Sequence, residues 1–75
     1  MTRSDVADIL TRAQVDPTYY SLTGDVHEAL CLLNEGRSWK VFISERGSRL
    51  EEHSFDIEDE ACVYFLKRIF EIWKP

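Results

Sequence analysis

Residues 27–55, HEALCLLNEGRSWKVFISERGSRLEEHSF, form three runs with strand-like patterning, separated by glycine-bearing turns. That pattern belongs to antiparallel strands joined by tight hairpins. The first run, His27 to Asn34, sets Leu30 and Leu32 on one face and Ala29, Cys31 and Leu33 on the other. Two apolar faces predict a strand that is central in its sheet or covered on both sides. Asn34-Glu35-Gly36-Arg37-Ser38 makes the hairpin connection. In the second run, Trp39 to Glu45, the side chains of Trp39, Val41 and Ile43 lie opposite Lys40, Phe42 and Ser44. Arg46-Gly47-Ser48-Arg49 turns the chain again. The third run, Leu50 to Phe55, is more polar and reads as an edge strand, with Glu51 and Glu52 discouraging further strand addition.

Toward the C-terminus, Asp56 is placed to cap a helix whose first turn holds Glu58, Asp59 and Glu60, where the helix dipole favours negative charge. Ala61, Cys62, Phe65, Leu66, Ile69, Ile72 and Trp73 follow at helical spacing, with Lys67, Arg68 and Lys74 toward the end. Tyr64 and Phe70 widen this apolar arc beyond what one sheet face needs. Toward the N-terminus, Thr18 to Val26 reads as a connection, docked by Tyr19, Tyr20 and Leu22 and turned by Thr23-Gly24-Asp25. Before it, Ser4 is placed to cap a short helix with Val6, Ile9, Leu10 and Ala13 on one stripe. Val15-Asp16-Pro17 ends that helix, because a residue before proline avoids the helical region.

The expected fold is α+β: helix, three-stranded antiparallel β-meander, helix (αβββα), in two layers, with both helices on one sheet face. Residues 1–75 make a single domain. The expected core is Leu30, Leu32, Trp39, Val41, Ile43, Phe65, Leu66 and Ile69.

So short a chain can hold one core but scarcely a walled catalytic cleft as well. Fourteen acidic residues against nine basic ones give a net charge of -5. An acidic chain repels nucleic acid phosphates, so direct nucleic acid binding is not expected. The same charge favours a basic protein partner. Cys31 and Cys62 lie inside apolar runs and are expected to be reduced and structural. Neither they nor the histidines have metal-ligand spacing, so no metal site is expected. Met1 to Gln14 mixes acids through its length, unlike a signal peptide, and no run reaches the length of a membrane span. The expected location is cytoplasmic.

The side chains capable of catalysis are His27, His53, Ser44, Glu45 and the two cysteines, and none stands in a nucleophile motif. Gly24, Gly36 and Gly47 sit in separate turns and build no phosphate loop. No catalytic residue and no cofactor are therefore expected. The unusual feature is acidic: Glu51, Glu52, Asp56, Glu58, Asp59 and Glu60 fall within ten residues with no Lys or Arg among them. Helix N-terminal chemistry accounts for Asp56 to Glu60 but not for Glu51 and Glu52.

Three stretches, Tyr20-Ser21-Leu22-Thr23-Gly24, WKVFISERG over 39–47 and FDIEDEACVYFL over 55–66, resemble a group of small bacterial immunity proteins. That group accompanies polymorphic and contact-dependent toxins. The resemblance covers most of the chain from Tyr20 to Leu66. It implies a cytoplasmic protein that binds one toxin, commonly a nuclease, tightly and stoichiometrically. It also implies that Gly24 and Gly47 serve turns with positive φ and that Glu45 and Arg46 pair across the hairpin. The expected partner-binding residues are Tyr19, Tyr20, Glu51, Glu52, Glu58, Asp59 and Glu60. The alternative is a small homodimeric regulatory or adaptor domain, joined through Tyr64, Phe70 and Trp73.

Overall fold

Residues 1–24 and 28–73 are described by a computed structural model. Among them, two α-helices and four strands run in the order α1 (Arg3–Arg12), β1 (Tyr20–Ser21), β2 (Ala29–Glu35), β3 (Ser38–Glu45), β4 (Ser48–Phe55) and α2 (Glu58–Ile72). A single 3-10 turn, Pro17–Tyr19, leads into β1. The expected α+β class and helix–strands–helix order hold. The sheet differs from expectation: it has four strands in the order β1-β2-β3-β4 and is mixed rather than antiparallel throughout. The extra strand, β1, runs parallel to β2, pairing Tyr20 with Leu30 and Ser21 with Cys31. Two residues carry no readable alternation, so this segment looked like a loop until its partner was in place. The expected start of β2 at His27, the end of the Thr18–Val26 connection and Asp25 of its turn lie outside the described residues. So does Lys74, expected toward the end of the last helix.

The meander itself follows the sequence pattern. β2 and β3 pair antiparallel with Leu30 opposite Ile43, Cys31 opposite Phe42 and Leu32 opposite Val41. Arg46 and Gly47 both take positive φ, 50° and 80°, the type I′ geometry that matches the twist of the flanking strands. Glu45 and Arg46 make no ion pair there, contrary to the expectation drawn from the resemblance. Gly24 is not among the positive-φ glycines, which are Gly36 and Gly47; instead Ser21 Oγ both donates to its carbonyl and accepts from its N–H.

Both helices cover one face of the sheet. Val6, Leu10, Val15, Leu30, Leu32, Val41, Ala61, Cys62, Phe65 and Ile69 form one buried cluster. Five of the residues expected at the centre, Leu30, Leu32, Val41, Phe65 and Ile69, are there; Trp39, Ile43 and Leu66 pack at its margin. The opposite face is buried at its centre as well, although Phe42 was not among the residues expected in the core. Phe42 is fully buried, with Cys31, Ala29 and Ser44 buried beside it. The Arg49 guanidinium lies 4.2 Å from the centre of the Phe42 ring. Arg49 is held there by a bidentate pair with Glu35 and by Glu52. The charged head of Arg49 thus covers the aromatic ring in a cation–π contact while carboxylates from two strands fix it in place.

The helix ends also depart from expectation. Thr2, not Ser4, caps α1: its hydroxyl accepts from Asp5 N–H, and the Asp5 carboxylate accepts from Thr2 N–H at 2.8 Å. Such a reciprocal box satisfies two orphan donors. At its other end α1 stops before Pro17 has any say. Val15 N–H donates to the Leu10 carbonyl and Gln14 N–H to the Thr11 carbonyl, a Schellman arrangement with Gln14 at φ 58°. For α2 the N-cap is Ile57, with no side-chain capping bond, so Asp56 does not cap it.

Candidate partner-binding surface

The acidic run divides into groups with different duties. Glu51 sits at an irregularity in the β3–β4 register with φ 52°, and its carboxylate meets Arg68 of α2 at 3.4 Å. Glu52 meets Arg49 at 3.0 Å. These two carboxylates are therefore part of the sheet's own ionic dressing. Glu58 and Asp59 are also engaged. Glu58 Oε2 accepts from Arg3 N–H at 2.9 Å, and Asp59 Oδ1 accepts from the Met1 ammonium at 2.8 Å. The first turns of α1 and α2 thus lie side by side, and carboxylates from α2 serve orphan donors at the start of α1. Two positive dipole ends brought together explain why so many acids gather here. Asp56 and Glu60 make no ion pair among the described residues.

The tyrosines do not join this surface. Tyr20 lies in β1 and Glu51 and Glu52 in β4, at opposite edges of the four-stranded sheet. Three strand spacings put them roughly 14 Å apart at least. Tyr20 packs against the core, while Tyr19 is exposed and borders an open depression with Thr18, Glu28, Ala29, Leu30, Ile43 and Ile72. The seven residues expected to bind a partner are therefore not one patch.

The residues expected at a homodimer interface are likewise divided. Tyr64 turns toward β4, where its ring centre is 4.8 Å from His53 and 5.4 Å from Phe55. Trp73 packs against the core, and Phe70 is exposed.

Beside Tyr64 the structure opens a shallow groove of about 520 Å³ between α2 and the end of β4. Phe55, Val63 and Tyr64 form its apolar floor, with Asp59, Glu60 and Lys67 around it. Val63 is 53% exposed, and Ile57, in the turn just before α2, is 55% exposed. Sequence reasoning passed over both residues. The available signal was Val63 itself, an apolar residue standing off the buried stripe of an amphipathic helix.

The candidate catalytic side chains are dispersed. His53 meets Tyr64 in a tilted ring contact, Ser44 is buried on the far face of the sheet, and Glu45 is exposed. His27 lies outside the described residues. Burial, reinforced by Glu58, pushes the Cys62 thiol up to about 11, so it stays protonated at neutral pH. Cys31 and Cys62 are not bridged to each other and are buried on opposite sides of the sheet. Among the described residues no group of three or more His, Cys, Asp or Glu could hold a metal ion. No helix among them is long and apolar enough to cross a membrane.

Comparison of the chain with protein-family models, with curated proteins and with solved structures returns no match.

Proposed function

We propose that this chain is a non-catalytic protein-binding domain of the immunity type, which neutralises a bacterial toxin by binding it in the cytoplasm. The observation that carries this reading is the outer surface of α2 and the turn before it. There Ile57 and Val63 are more than half exposed beside Asp56 and Glu60, which have no ion-pair partner among the described residues. Leaving large apolar groups in water is unfavourable unless a partner covers them. Negative charge beside them favours a basic partner, such as a nuclease whose groove is built for phosphates. The sequence resemblance to immunity proteins supports the same class of partner.

The direct test is co-expression with the product of the adjacent reading frame, followed by co-purification and a growth-protection assay. The expected result is a stoichiometric complex and protected cells. Replacing Asp56 by Asn and Glu60 by Gln should slow association and flatten its salt dependence, because exposed charges act mainly on encounter. A toxin that is bound and neutralised equally well by this variant at every salt concentration would remove the acids from the mechanism.

A further inference from the structure

We infer that the groove between α2 and the end of β4 is the docking site for a partner segment that presents one bulky apolar side chain with Lys or Arg beside it. The inference rests on the protein-binding reading above and assigns that reading a place. The floor is apolar and open: Val63 stands more than half exposed, and the tilted rings of Tyr64 and Phe55 sit 5.4 Å apart next to it. Tyr64 is fixed by its contacts with β4, so the floor is preorganised and little entropy is lost in forming it. One aromatic or branched aliphatic side chain laid on this floor removes apolar surface from water on both partners.

Charge then selects the flanking residues. Of the two acids on the groove, Asp59 already holds the Met1 ammonium, whereas Glu60 has no ion-pair partner among the described residues. Lys67 lies two turns further along the helix, so the groove has an acidic end and a basic end. A cationic side chain from the partner therefore fits toward Glu60 and is repelled toward Lys67. A second copy of this chain is a poor occupant, because it brings a net charge of -5 to a chain of the same charge. The depression by Tyr19 also sets an acid beside apolar residues, with Glu28 at φ 56° just before β2 next to Ala29, Leu30, Ile43 and Ile72, and it is the competing site in the test.

The test uses the full chain, isotope-labelled and followed by two-dimensional amide NMR. The titrants are a short synthetic peptide with a Trp and with Lys and Arg on one side of it only, the same peptide with Trp replaced by Ser, and one with the cations replaced by Glu. Shifts are expected at Phe55, Glu60, Val63 and Tyr64, with the Trp-free peptide at least about fivefold weaker. Val63→Lys and Glu60→Lys, both at exposed positions, should retain the parent's amide dispersion and weaken the Trp peptide by a similar factor. Equal affinity for the Trp-free peptide, shifts centred on Tyr19 and Ile72, or concentration-dependent self-association through the groove amides would each overturn the assignment. The two readings separate cleanly. If the parent chain neutralises a toxin and Val63→Lys does so equally well, the groove assignment falls while the immunity reading stands. If no toxin is bound but the peptide results hold, the immunity reading falls and the groove remains a docking site for another basic partner.

Discussion

Replacing Phe42 by Ala discriminates between the strand pattern and the folded structure. On the pattern alone Phe42 shares a face with Lys40 and Ser44, and its truncation should cost less than about 1 kcal/mol. In the structure the ring has no exposed surface and lies under Arg49, opposite Cys31. Trimming Phe to Ala removes on the order of 100 Å² of apolar surface from burial, about 2.5 kcal/mol at 25 cal/mol/Å². The cation–π contact adds about 0.5–1 kcal/mol at a partly exposed site. A cavity would raise the cost further, but Arg49 is a half-exposed roof that can settle inward, so the expected total is about 3 kcal/mol. A domain of this size has roughly 4–11 kcal/mol altogether, so the midpoint of urea unfolding should fall by about a quarter or more. The assay is urea denaturation followed by tryptophan fluorescence and far-UV circular dichroism, with the m-value checked for constancy. A double-mutant cycle with Arg49→Ala should return a coupling of about 0.5–1 kcal/mol. A loss below about 1 kcal/mol at unchanged m would refute the buried back face and return Phe42 to solvent.

Three further outcomes follow from particular residues. Gln14 occupies the left-handed position of the α1 Schellman turn, where glycine carries no steric penalty, so Gln14→Gly should stabilise the domain by about 0.5–1 kcal/mol in the same assay. Because Cys31 and Cys62 lie on opposite sides of the sheet, mass spectrometry of unfolded, reductant-free protein should find two free thiols, and a quantitative intramolecular disulfide would contradict the topology. The Cys62 thiol is raised by burial from its ordinary 9.0 to about 11, so the unfolded chain ionises first; stability is intact below pH 9 and should fall between pH 9 and 11, less steeply in Cys62→Ala than in the parent.

The elements that the sequence specified alone are those in which local pattern and burial agree. The meander was readable because Gly36 and Gly47 punctuate runs whose inward residues, Leu30, Leu32 and Val41, recur every second position. α2 was readable because Ala61, Cys62, Phe65 and Ile69 keep helical spacing behind an acidic first turn. Cap identity was not so legible: Thr2, Ser4 and Asp56 are all competent caps, and only the backbone path selects among them.

What lay beyond the sequence depended on contacts between distant segments. β1 exists because Tyr20 and Ser21 find the free edge of β2, a pairing that two residues cannot announce. Phe42 is buried because Arg49, Glu35 and Glu52 converge over it from two other strands. The acidic run was visible as composition, but its meaning was tertiary. Glu58 and Asp59 serve the start of α1, and Glu51 and Glu52 answer Arg68 and Arg49, whereas Glu60 is left for solvent or a partner. Charge spacing along a chain fixes how many carboxylates are near one another, while the cations and orphan N–H groups that claim them arrive only when the helices and strands pack.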